Sequence, residues 1–330
     1  MARYFNVAGP CNEADHYMID ASSRLHGIAE LIDQKQYFVI HAARQSGKTT
    51  FLLDMVRQLN AEGKYYAFRC SLEMGQGITE PEKGIPAITN GIKSTLRYSN
   101  IPGGKEFAAG EDLSDYANVL RNALTEFCIS LNKPLVIFFD EADCLSEGTL
   151  ISFLRQLRNG HNARSETPFV HSIALVGMRN IRDFKAKIRP DRESLGGASP
   201  FNVITEALTL RNFTREEIVK LYNQHTGETG QTFDPEAIDL VWLRTQGQPW
   251  LVNAVAREVI VKILQSDYTL PVTADLVAQA IQNIILRRDT HIDSLLERLK
   301  EERVRKVIEA VIIGDLESLD TQSDDYLYCK

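Results

Sequence analysis

The sequence predicts an α/β protein, a parallel sheet in a three-layer sandwich with helices on both faces, followed by a smaller all-α domain. An apolar, β-rich run from Tyr37 to His41 feeds a loop of mostly small residues, and the segment after it, Thr50 to Leu59, has apolar residues at helical spacing. A second run, Pro134 to Phe139, is apolar enough to be buried on both faces and ends in Asp140-Glu141. From Thr214 onward the pattern turns helical.

The loop is Ala42-Ala43-Arg44-Gln45-Ser46-Gly47-Lys48-Thr49-Thr50. Small residues let consecutive backbone N–H groups curl around phosphate oxygens, Lys48 supplies a point charge for the β and γ phosphates, and Thr49 offers a hydroxyl to Mg²⁺. The helix that opens near Gly47 adds its positive end. Ala43, Arg44, Gln45, Ser46, Gly47, Lys48, Thr49 and Thr50 are therefore the expected contacts of ATP or ADP. Ala42 stands where glycine is usual, but the strand-loop-helix setting favours a phosphate loop over an incidental glycine turn.

Asp140 and Glu141 fall at the carboxyl end of a buried strand, where open α/β sheets bind ligands. Asp140 is placed to hold the hydration shell of Mg²⁺ opposite Thr49, and Glu141 to orient and polarise the attacking water. An acidic pair after a strand also serves as a helix N-cap, and the phosphate loop upstream is what favours the metal reading. Asp143 reads as the cap of the following helix.

At 330 residues the chain has room for a second, smaller domain. Hydrophobic residues make up 44% and charged residues 25%, and no uncharged run approaches the roughly 18 residues of a membrane helix. The first ten residues lack the apolar core of a signal peptide, so no membrane partner and a cytoplasmic location are expected. Cys11, Cys70, Cys128, Cys144 and Cys329 are scattered, which suggests neither a zinc site nor a disulfide framework. A net charge of -7 argues against a surface built wholly for nucleic acid, while leaving a local basic face open.

The expected organisation is a lead-in over residues 1–35, a core over 36–210, a helical domain over 211–290, and a final segment over 291–330. Lys64 to Ser71 reads as a strand. Gly75, Gly77, Gly84, Gly91, Gly103, Gly104 and Gly110, with Pro81, Pro86 and Pro102, break the next stretch except for a helix from Ala87 to Tyr98. A mobile lid, a partner loop or, better, an ordinary insertion fits there. Helices from Leu113 to Leu131 and Thr149 to Asn159 precede a strand from Phe169 to Val176. That strand leads to Arg179, a γ-phosphate sensor or a solvated arginine. Arg182, Lys185, Lys187, Arg189 and Arg192 then form a basic run that is best read as solvated, with an arginine finger in trans or a nucleic-acid contact as alternatives.

After a strand from Phe201 to Ile204, helices are expected at Thr214 to His225, Pro235 to Thr245, Pro249 to Gln265, Thr273 to Arg287 and Ile292 to Val311. Thr214 and Thr273 carry hydroxyl caps with acidic residues in the first turn.

With Ala42 to Thr49, Asp140-Glu141 and Arg179 in place, the chain resembles the additional-strand, catalytic-glutamate P-loop ATPases. More narrowly it resembles bacterial AAA-like ATPases related to the signal-transducing STAND group and to archaeal ATPases, on Gly247-Gln248-Pro249. The resemblance implies that Pro249 packs near the adenine; Gly247 ending one helix and Pro249 starting the next also fits, and the favoured reading is that the motif does both. Gly9-Pro10, Tyr17 and Ser23-Arg24 resemble the lead-in that passes the base, which makes Tyr17 and Arg24 candidate nucleotide contacts. In such relatives a winged helix and a sensor or effector domain follow. Asp315 to Lys330 is short of a full winged helix, so the expectation is either a sequence that stops before one or a partner domain on another chain, with self-association as a further expected partner.

The leading expectation is an ATP-dependent molecular switch in which nucleotide closes the helical domain and slow hydrolysis through Glu141, Lys48 and Arg179 reopens it. A DNA-engaging AAA+ ATPase and a scaffold that holds ADP without turnover are the alternatives. A small-molecule kinase, which has no need of Glu141, is disfavoured.

Overall fold

A computed structural model describes residues 3–177, 203–287, 299 and 302–313. Arg179, the basic run from Arg182 to Arg192, the start of the strand expected at Phe201 and the segments 291–298 and 314–330 lie outside the described residues. The chain divides into two compact units, Pro10–Asn12 with Met18–Phe213, and the N-terminal residues to Gly9, Glu13–Tyr17 and the residues from Thr214 onward. Residues of the lead-in fall in both units, and a later division between the units follows Phe213.

The larger unit is a parallel sheet of five strands in the order β2-β3-β4-β1-β5. The strands are β1 Tyr37–His41, β2 Tyr66–Ser71, β3 Leu135–Asp140, β4 Ser172–Gly177 and β5 Ile204–Thr209. All six residues of β3 and all six of β4 are buried, as their apolar runs require in the middle of a sheet covered on both faces. Strand β4 lies between β1 and β3, so the strand before the loop and the strand bearing Asp140 are separated by an inserted one.

The alternation of side chains along these strands builds two cores. Tyr37, Val39, Phe68, Ile137, Phe139, Ile173 and Leu175 face one way, onto the helices α3 Pro81–Arg97, α4 Val119–Ser130 and α5 Glu147–Asn162. Phe38, Ile40, Ala67, Val136, Phe138, Ala174 and Val176 face the other way, onto α1 Ile28–Asp33 and α2 Lys48–Glu62. This is the three-layer sandwich expected from the β-α alternation.

Helix α3 is the main departure from expectation, since it runs through Gly84, Pro86 and Gly91. Tertiary packing explains the glycines: a Cβ at Gly84 would lie 2.2 Å from Thr149 Oγ1, and one at Gly91 would lie 2.2 Å from Met74 Cε. Glycine is there for close approach, not to break the helix. Helix α4 begins later than expected because Asp112 accepts from the Ser114 backbone and hydroxyl, which closes a turn. In its first turn the Val119 N–H donates to Asp115 O at 2.9 Å, and the Leu120 and Arg121 N–H groups are capped across space by Gln156 Oε1 at 3.1 and 3.2 Å.

In the helical unit, α6 Arg215–Thr229 opens with the expected capping box between Thr214 and Glu217. Helix α7 Pro235–Thr245 ends in two consecutive left-handed residues, Gln246 and Gly247, and α8 Pro249–Arg257 starts on proline. The expected long helix after Pro249 passes into a π-helical segment, Glu258–Ile263. The buried Glu258 accepts there from Arg287 at 2.7 Å and from Asn283 on α9 Ala274–Leu286. Helix α10 covers Glu302–Ile313.

Burial holds His161, His171 and His225 below the usual histidine pKa. An unfolded histidine takes up a proton near pH ~6.5, so below that pH the unfolded chain binds protons that the native chain refuses. Stability is therefore complete above the unfolded pKa and falls as pH drops through it. The melting temperature is expected to decline between about pH 7.5 and pH 5.5, above the range where paired carboxylates titrate. A melting temperature flat across that window contradicts the assignment.

Candidate nucleotide site

Strand β1 ends at His41, and the loop leaves the sheet through Ala42, whose N–H donates to Gly177 O at 3.0 Å. Ala42 is fully buried in the core under α2, and its φ is not positive, so its methyl costs the loop nothing. The left-handed positions are instead Gln45, with φ of 57°, and Gly47, with φ of 78°. A non-glycine residue in that region costs about 1–2 kcal/mol, and such strain concentrates where backbone is shaped for a ligand. Ser46 N–H turns back to Ala43 O at 3.3 Å, and α2 begins at Lys48. The loop therefore ends on the open N-terminus of a fifteen-residue helix, which favours anions.

Arg24 lies behind this loop, 5% exposed. Its Nη2 donates to Ser46 O at 2.8 Å and to Arg211 O at 2.6 Å, and its guanidinium sits 5.0 Å from the Phe213 ring centroid. The arginine that the resemblance linked to the base thus braces the loop backbone. Thr50 Oγ1 accepts from Cys11 N at 3.0 Å, which ties the lead-in to the first turn of α2. Tyr17 lies in the helical unit, buried, with its hydroxyl donating to Glu228 at 3.2 Å and lying 3.2 Å from His225 Nδ1. Burial, with Glu228 beside it, pushes the Tyr17 phenol above its usual range. Pro249 is buried in the first turn of α8 in that same unit, where Gln248 Oε1 caps Leu251 N at 2.6 Å.

The acidic end of β3 meets the loop. Asp140 is fully buried. Its Oδ1 lies 3.7 Å from Lys48 Nζ and accepts from Glu141 N at 3.0 Å, and its Oδ2 accepts from Thr49 Oγ1 at 3.5 Å. Two neighbours on β2, Arg69 and Ser71, complete the cluster. Arg69 Nε and Nη2 donate to Asp140 Oδ2 at 2.9 and 2.7 Å, and Ser71 Oγ donates to Glu141 Oε2 at 2.8 Å. Glu141 itself is left-handed, with φ of 59°. Burial pushes its carboxyl above the usual range and the nearby Glu73 and Asp140 charges add to this, while the Ser71 bond and the Lys48 charge oppose it. Asp143 falls in the short 3-10 turn Ala142–Cys144, beside Gly177, where a Cβ would meet its Oδ1 at 2.7 Å.

Lys48, Thr49, Asp140 and Glu141 are therefore brought together at one edge of the sheet. Arg69 and Ser71 were missed by sequence reading, although their spacing of two puts them on one face of β2. Adjacency to Asp140 follows only from the β2-β3 register, in which Ser71 pairs with Asp140.

The donors fit a magnesium nucleotide. Among the described residues no group of three or more His, Cys, Asp and Glu could hold a metal. A single hydroxyl with a carboxylate suits a hard cation that arrives with phosphate and water as its other ligands. The Ser46 hydroxyl, fully buried in the loop, has no hydrogen-bond partner among the described residues.

No curated protein matches the chain significantly. Among solved structures, a Walker-type ATPase of Pyrococcus abyssi is similar at a TM-score of 0.61 and 17% identity, covering 94% of this chain and 83% of the other. The Aeropyrum pernix Orc1 protein in complex with DNA is similar at a TM-score of 0.51 and 14% identity, over 94% and 73%. At these identities the likeness is one of fold. Among the described residues no helix is long and apolar enough to cross a membrane. The AAA-like domain family matches residues 9–319, nearly the whole sequence, and the chain belongs to that family of P-loop ATPases.

Proposed function

We propose that the chain is a molecular switch that binds ATP and hydrolyses it slowly with Mg²⁺. The observation that carries this reading is the meeting of Lys48, Thr49, Asp140 and Glu141 at the carboxyl edge of β1 and β3. The backbone N–H groups of the loop and Lys48 hold the phosphates, and Thr49 and Asp140 hold the metal. When bound, Mg²⁺ offsets charge on the phosphate oxygens. Glu141 orients a water and takes its proton as the water oxygen bonds to the γ phosphorus and the bond to the bridging oxygen breaks.

Slow turnover is supported by the Ser71 hydroxyl, which already occupies Glu141 Oε2. The STAND-related signalling role rests on the resemblance around Gly247-Gln248-Pro249. A switch needs states whose contacts differ between ATP and ADP, and the γ-phosphate end of this site is where such a difference arises.

Phosphate release per chain, measured over a range of protein concentrations with and without Mg²⁺, tests the reading. A slow, Mg²⁺-dependent rate independent of concentration is expected for a site complete in one chain. A per-chain rate that climbs with concentration places an essential group on a neighbour. No release at any concentration overturns hydrolysis and leaves an ADP-holding scaffold.

A further inference from the structure

Resting on the reading of a magnesium nucleotide site, we propose that Arg69 is a positioning residue that keeps Asp140 from binding a divalent cation until nucleotide phosphates arrive with it. Lys48 is the cation that the loop motif provides. Arg69 is a second one, contributed by an edge strand, and it takes the better geometry on Asp140, with two donors on Oδ2 against a single Lys48 contact of 3.7 Å on Oδ1.

Asp140 is saturated in this arrangement. Glu141 N–H and Lys48 serve Oδ1, while the Arg69 donors and the Thr49 hydroxyl serve Oδ2. The Asp140 side chain is only 1% exposed, so water does not screen the pair, while Arg69 retains 24% exposure and a route to turn outward. A dication on this carboxylate has to displace an Arg69 donor or approach a guanidinium already seated on it, and both disfavour the metal alone. Nucleotide phosphates change the balance. Lys48 is drawn to the phosphates, the local charge becomes negative, and Arg69 is attracted to the same phosphates that bring the metal. The site then takes the metal and nucleotide together and ignores the metal alone.

A merely structural Arg69 predicts the opposite sign, since its loss would disorder Asp140 and weaken metal binding. The test uses Arg69→Gln and the charge-preserving Arg69→Lys in the full chain. Mn²⁺ affinity without nucleotide is read by electron paramagnetic resonance, and a fluorescent ATP analogue is titrated in chelator and in Mg²⁺. Removing the guanidinium is expected to tighten Mn²⁺ by about tenfold, with Arg69→Lys close to the parent chain. The melting temperature of Arg69→Gln should rise on adding Mg²⁺ alone, while that of the parent chain does not. Equal or weaker Mn²⁺ binding in Arg69→Gln overturns the proposal, as does a gain equally large in Arg69→Lys. If Arg69→Gln does not fold, Arg69→Lys binding Mn²⁺ as tightly as free carboxylate sites do also overturns it, and near-parent affinity supports it. Loss of the ATP analogue from the parent chain under every condition would instead sink the nucleotide reading itself.

Discussion

Glu141→Gln is expected to leave ATP bound and to lower hydrolysis by about 10²–10⁴-fold, the usual contribution of a positioned proton acceptor. The amide keeps the shape of the carboxylate and can accept the Ser71 hydroxyl bond that Glu141 Oε2 accepts at 2.8 Å. It removes the lone pair that takes the proton from water. The left-handed backbone at residue 141 is unaffected by the exchange, so the adjoining Asp140 keeps its place. Measured together, ATP affinity and phosphate release separate binding from chemistry. Turnover equal to that of the parent chain would remove Glu141 from its assigned role.

Lys48→Ala is expected to weaken ATP binding by at least about 30-fold, the floor of ~2 kcal/mol for removing one partner of a buried charge pair. The ammonium sits at the first position of α2, 15% exposed, and no other side chain in the loop carries its charge to the same place. The fold should survive, because Arg69 keeps Asp140 paired at 2.7 Å. Calorimetric titration with ATP checks this, with the melting temperature as the control for folding. Affinity within a few-fold of the parent chain would mean that the phosphates bind elsewhere.

The features most legible in the sequence were those with local causes. Strand β3 could be read because every residue from Leu135 to Phe139 is apolar, and the loop because its residue types follow from phosphate geometry. The cap at Thr214 was visible for the same reason. Helix α3 was not, because Gly84 and Gly91 answer to Thr149 and Met74, which sequence spacing does not bring near. Arg69 and Ser71 were hidden by the same kind of cause, since the order of strands decides which side chains stand next to Asp140. Arg24 and Tyr17 had been linked to the nucleotide through resemblance alone. One reaches the site through the Ser46 carbonyl, and the hydroxyl of the other is engaged within the helical unit by Glu228 and His225.

The most direct test of the central claim, that Lys48, Asp140 and Glu141 form a working hydrolytic site, is a single-turnover measurement with the chain in excess over γ-labelled ATP and Mg²⁺. The parent chain should release labelled phosphate in one slow phase, with ADP left on the protein, while Glu141→Gln should hold intact ATP over the same period. Intact ATP recovered from the parent chain, or equal phosphate release from both, would contradict the account.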